Sequence, residues 1–190
     1  MDVFKAASTN VAVRDFQPSI IGDSELATIL ESARLTQSAK NLQPWYFIIV
    51  KDRKQLDDLA ELMMGDVDEE LTKLVPMVIA VVSDPRAEFW LFDLGRVVQT
   101  MTLVAWELGI GSCVISGPEP PNRETYREMA AKVLDVPNDL RVQELVAFGY
   151  PKKAKKFTGS SKIRKKMSEI VFDGKFGSGA KSLPNVSYNK

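Results

Sequence analysis

Ser38-Ala39-Lys40-Asn41-Leu42-Gln43-Pro44-Trp45-Tyr46-Phe47-Ile48-Ile49-Val50 runs from a polar loop straight into six β-forming residues. Pro44 has no amide hydrogen and biases Gln43 away from helix, so the element after it is not the continuation of a helix before it. Tryptophan, tyrosine, phenylalanine, isoleucine and valine all favour strand, and none of the six is polar enough to mark a solvent face. A continuous apolar run of this kind suggests a strand covered on both faces. Met77–Val82 is a second such run, closed by Ser83-Asp84-Pro85.

Helical spacing surrounds these strands. Leu26, Ile29, Leu30 and Ala33 recur behind Gly22-Asp23-Ser24, with Asp23 or Ser24 as the expected cap. Leu56, Leu59, Ala60 and Met63 mark a second helix. The stretch from Ala87 to Leu108 is apolar at 94, 97, 98, 101, 104, 105 and 108, and Leu91, Leu103 and Trp106 widen that stripe. A helix apolar nearly all round is buried nearly all round. Two readings fit it: a dimer interface along one side, or a central helix inside one subunit. Gly109-Ile110-Gly111 then leads to a strand at Ser112–Ile115, a helix at Arg123–Leu134 and a strand at Val142–Phe148 ending in Gly149-Tyr150-Pro151. The alternation predicts a three-layer α+β or α/β domain with four or five strands.

The 190 residues suit one domain, expected over 1–171, with a polar Gly/Ser-rich extension over 172–190 that packs on a partner subunit. Basic and acidic residues number 25 each, so the chain as a whole is no polyanion binder. There is no histidine and Cys113 is the one cysteine, which excludes Ser/His and Cys/His nucleophile pairs, thiolate clusters and an intrachain disulfide. Cys113 reads as a small buried hydrophobe within its strand. Any chemistry comes from carboxylates, amines and hydroxyls, or from a borrowed organic cofactor. No metal site is expected. The first residues show no basic run before an apolar core, and Asp93, Arg96, Gln99 and Glu107 interrupt the longest apolar stretch. The expectation is a cytoplasmic protein without a membrane or nucleic-acid partner. Pro151–Lys166 carries eight cations and no acid. That run reads either as a solvated segment or as one that gives part of itself to a phosphate; a single aromatic, Phe157, is no stacking platform for nucleic acid.

Three segments go beyond pattern: Val11-Ala12-Val13-Arg14-Asp15-Phe16, the Ser38–Trp45 loop, and the helix Asp93–Leu108 followed by Gly109-Ile110-Gly111-Ser112-Cys113-Val114-Ile115-Ser116-Gly117. In this order and spacing they resemble the FMN-dependent nitroreductase family from about Phe4 to Val171, most specifically at Asn-x-Gln-Pro-Trp. Gly149-Tyr150-Pro151 and the Lys162-x-Arg164 pair support the likeness. The resemblance implies an intertwined α+β homodimer with a central, mostly antiparallel sheet. It also implies FMN at the subunit interface and electrons passed from NADH or NADPH to a nitroaromatic, quinone or similar small acceptor. A non-catalytic relative that binds flavin or another ligand is the alternative.

On that resemblance Arg14 pairs with the FMN phosphate or ribityl oxygens, for which a planar guanidinium is suited. Lys162 and Arg164 reach the same phosphate, and two residues apart in an extended segment they face one side. Ser38, Asn41 and Gln43 offer donors and acceptors to the flavin of the neighbouring subunit. Ser116 and Gly117 place backbone donors near the ring, and Phe89 and Trp90 lie over the substrate or in the core. No side chain is expected to be catalytic by itself. The chain departs from the family at Asn10, Val11 and Ala12, where Arg-x-Ser is usual, and Lys40 is the candidate substitute cation. It also has no Asn or Gln between Gln55 and Gln99, where many members carry an amide toward the flavin.

Overall fold

The computed structural model describes residues 2–63, 75–116, 122–152 and 163–179. Its elements are α1 (Val3–Thr9), α2 (Asp23–Arg34), a 3-10 turn (Ala39–Asn41), β1 (Trp45–Val50) and α3 (Arg53–Met63). There follow β2 (Met77–Ser83), α4 (Trp90–Glu107), β3 (Gly111–Ile115), α5 (Asn122–Val133), β4 (Arg141–Gly149) and the short α6 (Met167–Ile170). The strands form one antiparallel sheet in the order β1-β2-β4-β3.

Strand side chains alternate between faces, and β2 shows why its sequence does not. Ile79 and Val81 pack with Val146 and Phe148 under α2 and α4, through Ile29, Ala33, Leu94, Val97 and Met101. Val78 and Ala80 pack with Leu145 and Ala147 under α3 and α5, through Leu56, Leu59, Tyr126 and Ala130. Both faces are covered, all seven residues of β2 are buried, and the chain is the expected three-layer α+β fold.

The same reading fails for β1. It is an edge strand, and Tyr46 and Ile49 are 52% and 40% exposed. An unbroken apolar run reports affinity for a covered surface, whether or not the chain itself supplies the cover. The opposite edge is partly closed: Ala12 bridges Ser112 in parallel and the Val13 amide donates to the Ser112 carbonyl at 2.9 Å. A bulge interrupts the centre, since Val81 pairs with Glu144 but Val82 with Val142, leaving Gln143 as the extra residue.

Two helix starts differ from expectation. Gly22 caps α2 with no side-chain bond, and Asp23 is instead its first residue, where an acid complements the positive helix end. α4 begins at Trp90 rather than Ala87, because Ala87 and Trp90 donate to the Asp84 and Ala87 carbonyls in successive turns. Nor is α4 buried all round within one chain: Leu91 and Phe92 are exposed. At its other end Trp106 is buried, and its indole Nε1–H donates to Thr9 Oγ1 of α1 at 2.9 Å. Gly149 lies where the N-terminal segment crosses the sheet; a Cβ there would stand 2.8 Å from both the Phe16 ring and Pro76. Beyond the core, Phe172 bridges Gly179 and its ring lies 4.6 Å from that of Phe176.

Candidate functional site

Residues 38–43 form a tightly held loop in front of β1. Lys40, Asn41 and Gln43 all have positive φ, at 53°, 56° and 48°. The Gln43 amide donates to Ser38 Oγ at 2.9 Å, and Gln43 Nε2 donates to the Asn41 carbonyl at 3.2 Å. The Ala39 amide donates to both carboxylate oxygens of Asp93, each at 3.1 Å. The Asp84 amide donates to the Pro44 carbonyl, securing the far end of the loop. The Asn41 side chain is exposed and makes no hydrogen bond among the described residues.

α4 brings the aromatic pair to the same corner. Lys40 Nζ lies 2.9 Å from Glu88, the residue before Phe89. Phe89 is exposed, whereas Trp90 packs partly into the core and the Arg141 guanidinium stands over its ring at 5.9 Å. Asp93 is buried, and Arg96 Nη1 approaches its Oδ1 at 3.1 Å. In the sequence Asp93 stands only as a charge that interrupts an apolar stretch. The available signal was its position four residues before Val97, on the buried stripe of the helix.

Arg14 and Ser116 lie elsewhere. Arg14 is exposed next to buried Val13, which is bonded to β3, and it has no ion-pair partner among the described residues. Its charge reaches the Cys113 thiol in the same strand. Ser116 is exposed at the end of β3, just past Ile115, which faces Leu145. β3 and β1 are opposite edges of the sheet, three strand spacings or about 14 Å apart. A single chain therefore sets Ser38, Lys40, Asn41, Gln43, Phe89 and Trp90 at one edge, and Arg14 and Ser116 along the other, Arg14 near Ser112 and Ser116 past the far end of β3. Arg164 is exposed and its Nη1 donates to the Ile163 carbonyl. Gly117 and Lys162 lie outside the described residues.

Burial pushes the Cys113 thiol up from its ordinary value, and the Arg14 charge partly opposes this. A raised thiol pKa favours the folded state fully below the unfolded value, and that contribution is lost as pH rises through the folded one. At pH 8 we expect Cys113 to react with iodoacetamide at least tenfold more slowly than in the urea-unfolded chain, as followed by mass spectrometry. Arg14→Ala should slow it further; equal rates in folded and unfolded chains would remove the burial account.

An open cleft of about 750 Å³ lies between α5 and the start of β4. Glu124 is bonded to Arg141 and stands 3.7 Å from Arg127. Burial and the Arg141 charge hold the Arg127 guanidinium below its ordinary value. Lining cations Arg127, Lys132 and Arg141 are matched by Glu124, Glu128 and Asp135, so the cleft has no charge preference. Among the described residues no group of acids and cysteine could hold a metal ion, and no helix is long and apolar enough to cross a membrane.

This arrangement has relatives. The Nitroreductase family pattern matches residues 11–150, and the chain belongs to that family. It is 31% identical over 161 residues, 82% of this chain and 89% of the relative, to an Archaeoglobus fulgidus protein bearing the provisional name NADH dehydrogenase/NAD(P)H nitroreductase. It is 25% identical over 171 residues to the iodotyrosine deiodinase of Thermotoga neapolitana, covering 78% of this chain and 88% of that one. Among solved structures, the FMN-dependent nitroreductase of Clostridium difficile R20291 superposes with a TM-score of 0.78 at 24% identity, over 91% of this chain and 99% of that one.

Proposed function

We propose that the chain is an FMN-dependent oxidoreductase, carrying electrons from NADH or NADPH to a nitroaromatic, quinone or similar small acceptor as a homodimer. The observation that carries this reading is the split of the polar groups between two edges of one sheet. A two-fold axis that sets the β1 edge of one copy against the β3 edge of another would unite both halves at each of two sites. Exposed Leu91, Phe92, Tyr46 and Ile49 give that contact an apolar surface.

The residues suit FMN. Arg14, with no ion-pair partner among the described residues, is a guanidinium for the phosphate, and Arg164 and Lys162 are further cations from the basic segment. Asn41, whose amide has no partner among the described residues, would meet the ribityl hydroxyls or the polar ring edge, with Ser38 and Gln43 shaping its loop. Ser116 and Gly117 would offer backbone donors to the flavin, and Phe89, with the exposed part of Trp90, would meet the acceptor. Bound FMN supplies hydride acceptance and one- or two-electron release, which the side chains of a histidine-free protein do not. Lys40 stands beside Glu88, so its charge is partly neutralised where the usual Arg-x-Ser is missing. That pairing favours the second reading, a flavin-binding relative without turnover.

The purified protein should be yellow, bleach on anaerobic addition of NADH or NADPH, and recover its colour with a nitroaromatic or quinone. A yellow protein that neither nucleotide bleaches selects the second reading. A colourless protein that cannot be reconstituted with FMN ends both.

A further inference from the structure

We propose that Asp93 is the positioning residue that keeps the 38–43 loop ready for its ligand, a role that rests on the FMN reading above. Three of the four residues from Lys40 to Gln43 sit in left-handed backbone and none is glycine. Such a stretch persists only where its surroundings dictate it. Two anchors do so here. Ser38 Oγ accepts the Gln43 amide inside the loop, and Asp93 accepts the Ala39 amide from α4.

Asp93 is the buried anchor that ties the start of the loop to α4, beside the exposed Lys40–Glu88 pair and the Asp84 amide on the Pro44 carbonyl. It belongs to the first turn of an 18-residue helix whose inner face is core, so its position is set by Leu94 and Val97 beside it. Its carboxylate is 1% exposed, and both oxygens converge on one loop amide while Arg96 balances the charge. A carboxylate serves this geometry and an amide does not. Asparagine would keep one acceptor for Ala39, but would turn two donors toward the guanidinium of Arg96 or toward the loop amide. The exposed Asn41 amide, with no partner among the described residues, is what the held loop displays. Asp93 thus acts through Ala39 and Asn41 without touching the ligand, and preorganises the half-site given to the other subunit.

The test uses the full chain and two readouts. One is amide hydrogen exchange without flavin, and the other is FMN affinity from quenching of flavin fluorescence. Asp93→Asn should raise exchange at residues 39–43 at least tenfold and weaken FMN binding about tenfold, while β2 and β4 amides exchange as before. Unchanged loop exchange, or a rise shared equally by β2 and β4, overturns the proposal. If Asp93→Asn does not fold, Ser38→Ala breaks the second anchor and should loosen the same residues about threefold; a loop as slow as in the unaltered chain overturns it equally. An unaltered chain that binds no FMN would defeat the flavin reading, and the exchange comparison would still decide whether Asp93 holds the loop.

Discussion

Trp106→Ala should lower the stability of the fold by about 3–5 kcal/mol, a large part of the 5–15 kcal/mol typical of a domain. Trp106 is 2% exposed, fills the core beside Val13, Phe16 and Cys113, and hydrogen-bonds Thr9 of α1. Truncation leaves a cavity bounded by the N-terminal segment, a helix and the sheet, three parts that cannot all close on it. For a chain of this length the loss corresponds to a fall in Tm on the order of 10 °C. Trp106→Phe separates the contributions: most of the buried ring remains, and the missing indole donor costs about 1 kcal/mol. Urea unfolding followed by circular dichroism measures both. A Trp106→Ala midpoint indistinguishable from that of the phenylalanine variant would mean that packing at this junction contributes little.

Arg14→Ala should weaken FMN binding by about tenfold to a hundredfold, the equivalent of one charged hydrogen bond worth roughly 1.5–3 kcal/mol. On the family resemblance the Arg-x-Ser positions hold Asn10, Val11 and Ala12 here, so less of the phosphate-binding set remains to compensate. Arg14 is exposed and unpaired among the described residues, so Tm without flavin should stay within about 1 °C. Combining it with Lys162→Ala should deepen the loss. Isothermal titration with FMN, beside a thermal melt of the flavin-free chain, checks both halves of the expectation. Full affinity in the double variant would place the phosphate elsewhere.

β1 and β2 are readable from the sequence because each is built on an unbroken apolar run, and the longer helices because each repeats on one face. Their arrangement is not. Trp45–Val50 and Met77–Ser83 look alike in composition, yet one is an open edge and the other the centre of the sheet. What separates them is the strand order, in which β4 pairs with β2 and β3 from more than 25 residues away. The site residues were marked by resemblance at Arg14 and Asn41, but no spacing says that they occupy opposite edges. Asp93 escaped notice for a similar reason. An acid in the first turn of a helix looks like an ordinary complement to the helix dipole. Its partner, Ala39, lies 54 residues earlier, and only the packing of α4 on the sheet brings the two together.

The edge formed by β1 has a practical side. Its outer backbone amides and carbonyls have no strand partner among the described residues, and Tyr46 and Ile49 add apolar side chains next to them. Such a ribbon is a template for indiscriminate strand addition when its proper cover is absent. On the homodimer reading proposed above, a chain that has not yet met a copy is the vulnerable form. A variant held unpaired should form fibrillar precipitate sooner than the unaltered chain at equal concentration, and Ile49→Lys should suppress it.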